Sequence, residues 1–184
     1  MSSVARVRRA YFDCRYGQLH VHQAIPPGGG FDEAAPLLCI PGRLGSGRFF
    51  QSLLGPVGAD RSIYAPDLPG CGESDGPAGA AGADQYALAC IDLLDSLRQR
   101  QVDILAHAEG IDTAAAIEGL RPRSLVRRLA CSAATPQSLS VVRSLKMEFR
   151  ELSLDVAAGD PPYANASGAQ VSEIIEFFGS VVKA

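Results

Sequence analysis

The chain has 184 residues, 47% of them apolar and 20% charged, which suits one soluble domain (1–184) with a substantial core. A formal charge of −3 excludes a surface built for nucleic acid or an anionic membrane, and the local basic groups Arg6, Arg8, Arg9 and Arg127, Arg128 read as solvated faces. Five cysteines without a C-x-x-C spacing point to reduced thiols in a cytoplasmic protein, not to a disulfide framework or a zinc site. The first dozen residues lack the apolar run of a secretory leader, and no stretch is long enough to span a bilayer.

Two alternating runs, Arg9 to Arg15 and Gln18 to Ala24, flank Tyr16 and Gly17 and predict a β-hairpin. On the second run His20 and His22 share a face. A pair of histidines at this spacing suits a metal, but no third ligand is near in sequence, so the expectation is a solvated or partly packed face and no metal site. Pro26 to Ala35 is a Gly/Pro-rich loop. Pro36 to Ile40 is continuously apolar, as a strand covered on both faces of a parallel sheet must be.

That strand runs into Pro41-Gly-Arg-Leu-Gly-Ser-Gly47. Its glycines do not form a dinucleotide or P-loop pattern, since no G-x-G-x-x-G or G-K-[ST] is present, and no cofactor is expected. A helix follows around Arg48 to Leu54. Ile63 to Ala65 is the next short strand, leading into Pro66-Asp-Leu-Pro-Gly-Cys-Gly-Glu-Ser74, where Asp67 is placed to cap turn N–H groups. Cys71 on this loop is a candidate pocket residue and a substitute nucleophile without an evident activating base. Asp84 is the expected N-cap of a helix reaching Arg98, with Tyr86, Cys90, Leu93, Leu94 and Leu97 on its buried stripe.

Val102 to Ile117 then reads as strand, sharp turn and helix. Ala106 and Gly110 leave room for a strained backbone around Ala108, and Ala114, Ala115, Ala116 and Ile117 favour helix. This resembles the nucleophile elbow G-x-S-x-G of the α/β-hydrolases, here written Ala106-His-Ala-Glu-Gly110. The run Ala65-Pro-Asp to Ser74 is similar to the family's A-P-D-x-x-G-x-G-x-S loop. The resemblance covers residues 9–136 and implies a mainly parallel sheet with helices on both faces behind an N-terminal hairpin. It implies oxyanion-hole N–H donors near Arg43 and Glu109, with Gly42 beside them as a binding residue and Ala108 at the nucleophile position.

After a strand at Val126 to Ser132, the remaining segment 137–184 is short for the family. Gln137 to Glu151 reads as a helix, Leu152 to Val156 as the last strand, and Ala166 to Val182 as the final amphipathic helix. A lid and at least one late strand are expected to be missing. The chain's three histidines all precede Ala108, so none can stand at the family's base position, and the loop expected there offers Asp160 instead. Serine and histidine being absent from those positions, the resemblance implies a catalytically degenerate protein that binds a small acyl or carbonyl ligand or a protein partner. A second reading is a hydrolase or lyase working without a triad, through His107 with Glu109 or Asp160 as acid and base. A third is a structural homodimer formed through an exposed sheet edge.

Overall fold

The computed structural model describes residues 4–29, 34–42, 45–121, 125–145, 147–152 and 166–179. Two nine-residue strands, β1 (Arg6–Cys14) and β2 (Gly17–Ile25), form the expected hairpin, closed at Cys14↔Gly17. Gly17 takes φ +113°, a conformation that side-chain-bearing residues rarely adopt, and so lets the chain reverse in two residues. β3 (Leu37–Ile40) and β4 (Ile63–Pro66) are short and wholly buried; β5 (Val102–His107), β6 (Val126–Ser132) and β7 (Glu148–Leu152) complete the sheet. The order is β1-β2-β4-β3-β5-β6-β7, antiparallel at β1, β2 and β4 and parallel from β4 through β7.

Helices cover both faces. On one, α2 (Ala83–Ser96), α3 (Gly110–Leu120) and α4 (Pro136–Ser144) pack Cys90, Leu93, Leu94, Ile117 and Val142 against Leu38, Ile104 and Leu129. On the other, a 3-10 turn at Gly47–Phe50, α1 (Gln51–Val57) and α5 (Gly168–Gly179) bury Phe50, Leu53, Phe177 and Phe178 against Leu37, Ile63 and Leu105. Alternation along each strand sends successive side chains to these two separate cores.

Four expectations change. The N-cap of α2 is Gly82, not Asp84; Asp84 lies in the first turn, and Gln85 turns back to accept the Gly82 N–H at 3.0 Å. Gln137 to Glu151 is not one helix. α4 ends at Ser144, and Glu148–Leu152 joins the sheet edge as β7, because pairing with β6 satisfies backbone groups that an isolated short helix would leave to water. The expected last strand at Leu152 to Val156 therefore begins earlier, and its residues 153–156 lie outside the described residues, as does Asp160. The histidine face of β2 is not solvated: His20 is 1% and His22 6% exposed.

Candidate functional site

β5 delivers its last residues to the carboxyl end of the sheet, and the chain then reverses into α3 through Ala108 and Glu109. Ala108 takes φ +47°, a left-handed conformation costing an alanine roughly 1–2 kcal/mol. The turn is tight because its neighbours are small. A Cβ on Gly110 would stand 2.5 Å from the Ile40 carbonyl oxygen and 2.7 Å from that of Pro41. One on Gly42 would stand 3.0 Å from Glu109 Oε2 and 3.1 Å from both the Ala108 Cβ and the His107 oxygen. The end of β3 and the elbow thus touch backbone to backbone.

Ala108 is half-buried and Glu109 exposed, the latter as the N-cap of α3 without a side-chain capping bond. A carboxylate there meets the positive end of the helix dipole. Beside it, Gly42, Leu68, Tyr86, Glu109 and Asp112 border a cavity of about 260 Å³. Of the expected site residues, Gly42, His107, Ala108 and Glu109 meet at this end of the sheet, whereas Arg43 and Asp160 lie outside the described residues.

His107 points across to the next strand. Its Nδ1 lies 3.0 Å from Ser132 Oγ, and its ring lies against Phe49 with centroids 4.5 Å apart. Burial lowers its pKa, partly offset by the Glu109 charge, so the imidazole is neutral near pH 7. The sequence reading missed Ser132, whose side chain is fully buried at the end of β6. In that position it orients the imidazole and is shielded from attacking a ligand.

Cys71 is a poor nucleophile. Burial and the Asp67 charge raise its pKa, outweighing the hydrogen bond with Tyr86, and a thiol so held is protonated at neutral pH. The buried Cys90 and Cys131 are pushed up further, to about 12 and about 11.

Asp67 caps the turn as expected, with more partners than the sequence suggested. Oδ1 accepts from Ser46 Oγ and the Gly47 N–H, each at 2.8 Å; Oδ2 accepts from the Glu73 N–H at 3.0 Å and meets His20 Nδ1 at 2.8 Å. Burial alone would raise this carboxyl's pKa, but those hydrogen bonds outweigh it and hold it below the ordinary range. Asp67 also supplies the third group the histidines lacked: ligand-type atoms of His20, His22 and Asp67 lie within 4.8 Å of one another. A cation would have to displace donors that already fill the carboxylate's acceptor sites, and Arg9 and Arg48 act on His22 with like charge.

The strained elbow on a β1-β2-β4-β3-β5-β6-β7 sheet agrees with a model of the alpha/beta hydrolase family that matches residues 37–180. The chain belongs to the alpha/beta hydrolase family. This hydrolase-fold chain resembles wild-type Cfl2 from Burkholderia cenocepacia at 25% identity and TM-score 0.60, over 70% of its own length and 42% of that chain. It resembles the N-acyl homoserine lactonase AidH, solved as a mutant with N-hexanoyl homoserine, at 24% identity and TM-score 0.61, over 71% of its own length and 46% of that chain. The epoxide hydrolase CorEH aligns over 94% of this chain and 50% of its own, at 19% identity and TM-score 0.62. The chain thus spans half or less of these relatives' length. No curated protein matches it significantly in sequence. Among the described residues no helix is long and apolar enough to cross a membrane.

Proposed function

We propose that this protein is a catalytically degenerate member of its family that binds a small acyl or carbonyl ligand at the elbow without turning it over. The observation that carries the reading is Ala108 at φ +47°, which occupies the strained position of a nucleophile with a methyl group. A backbone held in that region brings Glu109 against Gly42, and the backbone N–H groups that would hold a carbonyl oxygen do not depend on a serine. With alanine at the nucleophile position no acyl-enzyme can form there by the family route.

The test is hydrolysis of short and medium chromogenic acyl esters by the purified protein and by Ala108→Ser. Both are expected to remain at the buffer rate while thermal shift detects binding of the non-hydrolysable acyl amides. Turnover by the unaltered protein, copurifying with it through orthogonal columns, would sink the reading.

A second reading, general acid–base chemistry without a covalent intermediate, is favoured by the neutral His107 imidazole held by Ser132. It requires that any activity fall at least tenfold in His107→Ala and respond to Ser132→Ala through its pH profile. Rates unchanged in both variants dismiss it.

A further inference from the structure

Away from the elbow, the α1 side of the hairpin carries a concentration of positive charge that the proposed function does not use. Arg9 and His22 are directly opposed on β1 and β2. Arg48 reaches the same place from the 3-10 turn, and Gln51 from the start of α1. They border a cavity of about 350 Å³. Among its lining residues there is no carboxylate.

Arg9 makes one loose pair, 3.8 Å from Glu73 with both side chains more than half exposed, and a pair of that kind holds its partner weakly. Arg48 has no ion pair among the described residues. At the wall of the cavity, His22 is more than nine-tenths buried, yet its side chain makes no hydrogen bond among the described residues. Its Nε2 stands 3.8 Å from Asp67 Oδ1, beyond hydrogen-bond reach. Its ring nitrogens are not sealed from solvent, and the residue borders the cavity.

We propose that Arg9, Arg48 and Gln51, over His22, form a binding site for the phosphate group of a small soluble molecule. Guanidinium forks bind oxyanions through paired N–H donors, and two of them with the Gln51 amide suit a group with three terminal oxygens and nearly two charges better than a carboxylate. The cavity exceeds inorganic phosphate in size, which leaves room for the organic part of a phosphate monoester. It stands apart from the elbow, so the site requires no catalysis there.

The test follows the ring signals of the three histidines by NMR while inorganic phosphate replaces chloride at constant ionic strength. The groups acting on His22 are Asp67 on one side and His20, Arg48 and Arg9 on the other. A bound dianion adds to the Asp67 side. The expected result is a saturable shift of the His22 signal at millimolar phosphate, with His107 unmoved, and tighter saturation by phenyl phosphate. In the double variant Arg9→Gln, Arg48→Gln, affinity should fall at least tenfold with an unchanged circular dichroism spectrum, since both side chains are exposed. A shift that never saturates, one that persists in the double variant, or binding confined to vesicles containing phosphatidic acid would each overturn the proposal.

Discussion

Nδ1 of His107 lies 3.0 Å from Oγ of Ser132, so the residue entering the elbow is tied to the end of the neighbouring strand. This bond links two residues 25 apart in sequence, and it fixes the direction of the only imidazole beside Ala108 among the described residues.

His107 and His22 both have lowered pKa values, burial being the first cause in each. A group whose folded pKa lies below its unfolded value contributes its full stability above that unfolded value, about 6.5 for histidine, and loses it as pH falls through the folded pKa. Urea midpoints should therefore decline from pH 7 to pH 5. The slope should be shallower in His107→Gln, and an identical slope would show that His107 titrates alike in both states.

Asp67 gives the same sign at lower pH. Its folded pKa is depressed, so its contribution is present above the unfolded value of about 3.9 and disappears as pH falls through the folded pKa. Asp67→Asn presents an amide where the Gly47 and Glu73 N–H groups and His20 now meet a carboxylate. Breaking such a buried charged network costs about 3 kcal/mol or more. Calorimetry should show Tm falling by roughly 6–12 °C for that loss in a domain of this size.

Ala108→Gly should be tolerated and should raise stability by about 1 kcal/mol, because glycine takes φ +47° without strain. Ala106→Gly, in the buried strand two residues earlier, should lower it by about 0.5–1 kcal/mol. Equilibrium denaturation of the two variants in parallel checks the opposite signs.

Gly110→Ala places a methyl 2.5 Å from the Ile40 oxygen, where only backbone can yield. The cost should be about 1–3 kcal/mol. Ligand binding at the elbow should weaken with it, since β3 and the elbow must separate. Gly119→Ala meets nothing within 4 Å and serves as the control, expected to stabilise α3 by about 0.8–1 kcal/mol.

Asp103 is fully buried on β5, 2.8 Å from Arg61 Nη1 and 2.6 Å from Arg127 Nη2. Arg61 also donates to the Phe178 carbonyl at 2.6 Å, and Arg128 to that of Phe177 at 3.0 Å, so these guanidinia fasten the end of α5 to the sheet. Asp103→Ala leaves Arg61 buried without its counter-charge and should cost about 3–5 kcal/mol. Amide exchange in Arg61→Met should accelerate in α5 before α2; equal acceleration in both would remove the fastening role.

What the sequence by itself determined is local. The order of strands and helices to Ser132, the hairpin turn, the buried stripe of α2 and the elbow all follow from apolar periodicity and from glycines, which act within a few residues. The cap on the Asp67 loop was legible for the same reason. Tertiary structure alone decided the rest. Glu148–Leu152 carries no clear strand pattern, with three charges in five residues, and becomes β7 because the edge of β6 offers it a ladder. His20 meets Asp67 across 47 residues because β2 pairs antiparallel with β4, and the histidines are buried for that reason, against the expectation from β2 alone. Ser132 found His107, and Arg61 found the last carbonyls of α5, through contacts whose sequence separation leaves no periodic trace. Local preferences act on each segment separately, whereas burial and strand pairing are settled only when distant segments share a sheet.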